Sequence, residues 1–148
     1  MVSTKGRYAL RMMIDLATQG SGEFISLKEI CARQDISIKY LEQIVTLFTR
    51  AGLLKSVRGP QGGYKLSRKP EEYTVGEILR VAEGTLAPIA CLREAPNQCE
   101  RYNECVSVKF WEGFYGVVTD YTENVTLSDV VKNNGVISFD GAKKLRMG

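Results

Sequence analysis

A mainly α-helical chain with one small β-hairpin is the fold the sequence predicts, and three observations predict it. Small polar residues stand ahead of amphipathic runs at helix-cap spacing. A glycine-rich stretch separates two short strand-like runs. An apolar-aromatic run of some four turns lies towards the C-terminus. At 148 residues the chain is long enough for one ordinary domain, or a small domain with an appended oligomerisation element. An apolar fraction of 44% and a charged fraction of 25% are those of a soluble globular protein. No apolar run approaches the ~20 residues that span a bilayer. The N-terminus, Met-Val-Ser-Thr-Lys-Gly-Arg-Tyr-Ala-Leu, has no signal-peptide core. A cytoplasmic location with no membrane partner is therefore expected, in a compartment where thiols stay reduced.

The elements follow in order. Tyr8, Leu10, Met12, Met13 and Leu16 lie near helical spacing, so residues 5–19 read as a first helix ending at Gly20. Phe24 and Ile25 form a short extended piece. Ser26 is placed as an N-cap with Glu29 at the capping-box position, opening a second helix to about Arg33. Asp35 and Ile36 make a tight turn. Ser37 then caps a third helix, with Leu41, Ile44, Val45, Leu47 and Phe48 on its buried side and Gly52 as its stop. Two short helices joined this closely form the helix-turn-helix pattern, which is weak evidence by itself. The next residues strengthen it. Leu53–Val57 and Gly63–Leu66 are strand-like, and Arg58-Gly59-Pro60-Gln61-Gly62 between them is a hairpin tip carrying one arginine. A helix-turn-helix followed at once by a basic hairpin is a winged helix. The third helix would enter the major groove of DNA and the wing would lie along the backbone or minor groove. A nucleotide-binding loop does not fit, because the Lys-Ser/Thr and the helix start that should follow are missing.

After Pro70 the composition changes. Thr74 with Glu77 is a second capping box, opening a helix to about Glu83, and Gly84 stops it. A loop with Cys91, Cys99 and Cys105 follows. Val106, Phe110, Trp111, Phe114, Tyr115, Val117, Val118 and Tyr121 then spread over more than one face of a long helix, the pattern of a helix that packs on a second copy. A short capped helix begins at Thr126. The division expected is 1–70 winged helix-turn-helix DNA-binding domain, 71–105 linking helix and cysteine loop, 106–133 dimerisation helix region, and 134–148 flexible tail. Charge agrees with it. Residues 1–70 carry twelve Lys/Arg against five Asp/Glu, and residues 71–148 carry eight against twelve. A basic front and an acidic rear suit a nucleic-acid-binding module with an appendage, although chance surface variation gives the same asymmetry.

The segments Ser-Thr-Lys-Gly-Arg-Tyr-Ala-Leu (3–10), Ile-Ser-Ile-Lys-Tyr-Leu-Glu-Gln (36–43), Val-Arg-Gly-Pro-Gln-Gly-Gly-Tyr (57–64), Thr-Val-Gly-Glu-Ile (74–78) and Val-Thr-Leu-Ser-Asp-Val (125–130), with three cysteines between the last two, resemble the IscR/NsrR/CymR family of bacterial winged-helix regulators. The resemblance runs from Ser3 to about Asn133 and lies nearest the IscR-like iron–sulfur regulators. It implies a homodimeric transcription regulator, a repressor rather than an enzyme, bound to a palindromic double-stranded DNA operator and controlling iron–sulfur cluster biogenesis. A nitric oxide, redox or cysteine-metabolism regulator of the same family, with or without a cluster, is the alternative. The resemblance places Ser37, Lys39, Tyr40 and Glu42 towards the groove, with Arg58 at the wing tip. Lysine reaches guanine acceptors or phosphates, glutamate accepts from a cytosine amino group, and arginine suits a narrow minor groove. Lys39 and Glu42 could instead form a solvated face, and Tyr40 could be a half-buried packing residue. Lys5 and Arg7, with Ser3 and Tyr64, would add phosphate contacts.

Cys91, Cys99 and Cys105 are spaced eight and six residues apart, unlike the paired hooks of zinc sites. Incidental thiols, a thiol switch and zinc stay open beside iron–sulfur ligation, which rests on the resemblance and is expected as [2Fe–2S] rather than [4Fe–4S]. Some relatives place a histidine three residues after the third cysteine. Val108 stands there, and the chain has no histidine. Glu104, Glu100, Ser107, a solution thiol or a partner residue are the candidates for a fourth ligand. Cys31 falls on the apolar stripe of the second helix and is expected in the core. An electron-transfer or catalytic iron–sulfur protein is disfavoured by the lack of an acid–base set.

Overall fold

The computed structural model describes residues 1–20 and 22–134. The tail expected over 134–148 lies, Asn134 apart, outside the described residues. Six α-helices and one hairpin are described: α1 Thr4–Gln19, α2 Leu27–Gln34, α3 Ile38–Arg50, β1 Leu54–Val57, β2 Gly63–Leu66, α4 Val75–Glu83, α5 Val108–Glu123 and α6 Leu127–Lys132, with 3₁₀ turns at Pro70–Glu72 and Ala90–Leu92.

The caps act where the sequence places them. The hydroxyls of Ser26, Ser37 and Thr74 accept from the backbone N–H groups of Glu29, Tyr40 and Glu77. Each answers one donor that the first helical turn leaves unpaired. The reciprocal half of the box expected at Thr74 is differently used, because the Glu77 carboxylate pairs with Arg68 at 2.6 Å. A full capping box forms instead at Thr126 and Asp129. Asp35, in the left-handed region at φ 53°, ends α2 and turns the chain into α3. A short side chain that bonds locally tolerates this conformation.

β1 and β2 pair antiparallel, with Leu54 opposite Leu66 and Val57 opposite Gly63. The turn uses Gly59 at φ 113°, a conformation costly for any residue with a Cβ. Ile25 bridges to Tyr64 on the free edge of β2, so the extended piece before α2 gives the wing base a third strand contact.

The main core joins Met12, Met13, Leu16, Ile30, Leu41, Ile44, Val45 and Phe48 to Tyr73, Ile78, Ala82 and Leu127. Packing therefore does not break at residue 70, and α4 and α6 complete the core begun by α1–α3. Asp15, 3% exposed, ties α2 to α1 through two bonds from Arg33 (3.0 and 2.9 Å) and one from Gln34 (2.9 Å). Such multiple charge-assisted bonds are what let a carboxylate be buried. A smaller cluster, Val75, Leu79, Leu86 and Val125, receives Tyr115 and Tyr121 and seats α5 on α4. Cys31 is half-buried against the main core.

Candidate nucleic-acid interface and cysteine loop

The apolar stripe of α3 turns inward and leaves a polar stripe outside. Lys39, Glu42, Thr46 and Arg50 are exposed along it at spacings of three to four residues, which is one face of a helix, with Gln43 beside them. Lys5, from the first turn of α1, lines one hollow with Lys39, Glu42, Gln43, Thr46 and Arg50. On the other side of α3, Thr46, Thr49 and Arg50 line a second hollow with Ser56, Val57, Arg58 and Tyr64 of the wing. The fold thus brings Lys5, Lys39, Glu42 and Arg58 onto one continuous surface. Arg50 borders both hollows. Sequence reasoning did not single it out, although its place eleven residues after Lys39 on the polar stripe is a visible signal.

The other sequence-named residues divide. Ser37 is exposed, and its hydroxyl accepts from the N–H of Tyr40 at 3.3 Å, so its acceptor capacity goes partly to capping. Tyr40 is half-buried, its ring set edge-on to Tyr8 with centroids 5.4 Å apart, which is a packing role. Arg7 is exposed on α1, next in sequence to the buried Gly6. Ser3 caps α1, its hydroxyl accepting from the N–H of Lys5 at 3.2 Å.

The cysteine loop lies between α4 and α5. Cys91 ends half-buried at the 3₁₀ turn and shares an open hollow with Cys99, Arg93, Glu94 and Gln98. Cys105 does not line that hollow. It is exposed near the start of α5, with its Sγ 3.4 Å from the Ser107 hydroxyl. That hydrogen bond lowers the Cys105 thiol below its ordinary value against the opposing effect of burial, and the Val108 and Ser107 N–H groups and the Arg101 charge add to the lowering. Cys31 is shifted upward by burial. All four cysteines are free thiols. The donor chemistry of the loop fits iron or another thiophilic metal, but no three Cys, Asp or Glu side chains among the described residues stand together as a metal-holding group. Tyr102, between Cys99 and Cys105, docks this arm on α5. Its hydroxyl donates to Glu112 and accepts from the Lys109 ammonium at 3.3 Å.

On α5 itself, Phe110 is 64% and Phe114 40% exposed, with Val106 just ahead of the helix at 95%. Gly113 and Gly116 have open space in front of them. No helix among the described residues is long and apolar enough to cross a membrane.

Comparison with known proteins follows the same lines. A family profile described as Rrf2, an iron-dependent transcriptional regulator, matches residues 2–133. An HTH-type transcriptional regulator IscR from Cereibacter sphaeroides is 42% identical over 135 residues, covering 89% of this chain and 87% of that protein. The structure of T. potens IscR is similar with a TM-score of 0.72 at 35% identity, over 97% of this chain and 96% of that one. CymR, the global cysteine regulator of B. subtilis, gives a TM-score of 0.70 at 35% identity, over 90% and 97%.

Proposed function

The chain belongs to the Rrf2 family of transcriptional regulators, and from that premise we propose that it is a homodimeric repressor whose affinity for a palindromic operator follows the state of an iron–sulfur cluster on its cysteine loop. It is a regulator and not an enzyme. The observation that carries the reading is the single surface formed by Lys5, Lys39, Glu42, Arg50 and Arg58, with the thiol loop placed between α4 and α5. Lys39 and Glu42 would address base edges, Ser37 would cap α3 beside the groove, Arg58 would reach the minor groove from the wing, and Lys5, Arg7 and Arg50 would meet phosphates. Tyr40 would act from behind by packing on Tyr8.

The exposed Phe110 and Phe114 of α5 support a second copy across that helix. Half-sites on one face of DNA lie about 34 Å apart, so a small change in the seating of two α5 helices alters how both α3 helices meet their sites. Cys91, Cys99 and Cys105 would hold the cluster, a [2Fe–2S] in preference to a [4Fe–4S], and its chemistry when bound is reversible oxidation and loss. Ligation by all three thiols ties the 91–105 loop to the start of α5. The resemblance to the IscR proteins supports iron–sulfur biogenesis genes as the target.

A second reading has its own support. Cys105 stands apart from the hollow shared by Cys91 and Cys99, and the chain is also 35% identical to a cysteine regulator of the same fold. In that reading the same DNA-binding dimer answers thiol chemistry or cysteine supply with no cluster. Anaerobic purification with iron and sulfide analysis separates the two. The leading reading expects visible absorbance that Cys91→Ala abolishes and operator affinity that changes on oxidation. Equal affinity for loaded and cluster-free protein overturns it.

A further inference from the structure

We propose that Glu83 is a positioning residue for DNA binding, holding the first turn of α1 so that Lys5 stands beside Lys39 of α3. The proposal rests on the DNA-binding reading above and adds a residue that touches no DNA in it.

The geometry is local and complete. One oxygen, Oε1 of Glu83, accepts from the Ser3 N–H (2.7 Å), the Ser3 hydroxyl (2.7 Å) and the Gly6 N–H (2.9 Å). These groups lie some eighty residues away in sequence. Ser3 in turn caps Lys5 through its hydroxyl. The donors at the start of α1 are thus answered by a carboxylate delivered from another helix. Gly6 makes this possible, because a Cβ there would fall on Glu83 Oε1. The carrier is rigid, since Ile78, Leu79 and Ala82 bury α4. Lys5 follows Ser3 by two residues and lines the α3 hollow with Lys39, Glu42 and Gln43.

An acidic side chain near a phosphate-binding surface costs affinity by charge alone, and a bare helix N-terminus is itself an attractive phosphate site. Glu83 occupies those N–H groups. It therefore either fixes α1 for Lys5 to act, or plugs a site that a phosphate should fill. The two roles have opposite signs. The triple acceptor role, and a glycine placed where only it leaves room, favour positioning.

The test measures binding to a labelled duplex selected from a random-sequence library by the wild-type protein, between about 50 and 300 mM salt, with each variant's folding checked by thermal denaturation. Glu83→Ala is expected to weaken binding about tenfold and to lower the salt slope by about 0.9, the contribution of one phosphate contact. Lys5→Ala should do the same, and the double variant should lose less than twofold more. Glu83→Gln keeps the accepting oxygen and should stay within about threefold of wild type. Glu83→Asp keeps the charge but withdraws it by one methylene and should behave as Glu83→Ala does, which serves if the alanine variant folds poorly. Tighter binding by Glu83→Ala identifies a plug and overturns the proposal. So do unchanged binding, additive losses with Lys5→Ala, or a glutamine variant as weak as alanine. Wild-type protein that selects no duplex and shows no salt-dependent binding defeats the DNA reading itself, a separate outcome.

Discussion

Tyr73 gathers backbone hydrogen bonds from three residues on one buried hydroxyl, with the Ser67 hydroxyl a further partner at 3.3 Å. The oxygen accepts from the N–H groups of Ser67 (2.9 Å) and Arg68 (3.0 Å) and donates to the carbonyl of Leu53 (2.7 Å), clamping the wing's exit onto its entry. Tyr73→Phe keeps the ring and strands these partners. Part-buried groups left without a bond cost about 1–3 kcal/mol, so a loss of about 2 kcal/mol in urea unfolding is expected, with the unfolding slope unchanged. A variant as stable as wild type would show that water answers all three groups. Glu83 gives a second residue-scale outcome, with a definite sign. Burial works upward on its carboxyl, but the Ser3 hydroxyl, the Ser3 and Gly6 N–H groups and the N-terminal ammonium prevail and hold it below the usual carboxylate range. A lowered folded-state pKa means stabilisation present above the unfolded value of ~4.3 and lost as pH falls through the folded value. The stability difference between wild type and Glu83→Gln should be flat from neutral pH to about 5.5 and shrink below about 4. A difference that grows on acidification would reverse the assignment.

Among the elements, α5 combines an inner face seated on α4 with an outer face that no described residue covers. Trp111 packs with the exposed aromatics, its ring 5.0 Å from that of Phe110 and 5.8 Å from that of Phe114. Burying aromatics of this size contributes about 1.5–3 kcal/mol each. Phe114→Lys is therefore expected to weaken self-association at least tenfold by sedimentation while leaving the helical circular dichroism signal intact. A chain that stays dimeric with Lys at 114 would move the dimer surface elsewhere. The helices, their caps and the wing were legible in the sequence because their signals are local: a hydroxyl three residues before the N–H it caps, a glycine at a tight turn, an apolar stripe of fixed period. The Ser37 cap on α3 and the hairpin around Gly59 needed nothing from the rest of the chain. Contacts between distant segments were not legible. Ser3 and Gly6 meet Glu83, and Gly76 faces Glu123, through helix packing that no spacing rule encodes. The cysteine loop shows both cases. Its thiols are plain in the sequence, but that Cys91 and Cys99 share a hollow which Cys105 does not line is set by the path of the loop, which no spacing rule encodes.

For the whole molecule, the decisive feature is that one core reaches across residue 70. Leu127 is fully buried beside Tyr73, its N–H donating to the Tyr73 carbonyl at 3.0 Å, while the Val75 N–H donates to Val125 at 2.8 Å. The cysteine loop and α5 are thus an excursion whose two ends, α4 and α6, are both fixed in the core that carries α3. The loop and α5 are therefore tethered to that core at both ends. The same arrangement governs folding. Ile78 and Leu127 contribute about 1.5–3 kcal/mol each by burial, and the three bonds of Tyr73 about 1 kcal/mol apiece. Their sum is comparable to the about 5–15 kcal/mol that holds a typical domain together. A fragment of residues 1–70 should therefore show no cooperative thermal transition, and one of residues 1–134 should melt in a single step near the full chain. Calorimetry on both fragments decides it. A cooperative transition in the shorter one would mean that the winged helix closes its own core at residue 70, and that the loop and α5 belong to a separately folding unit.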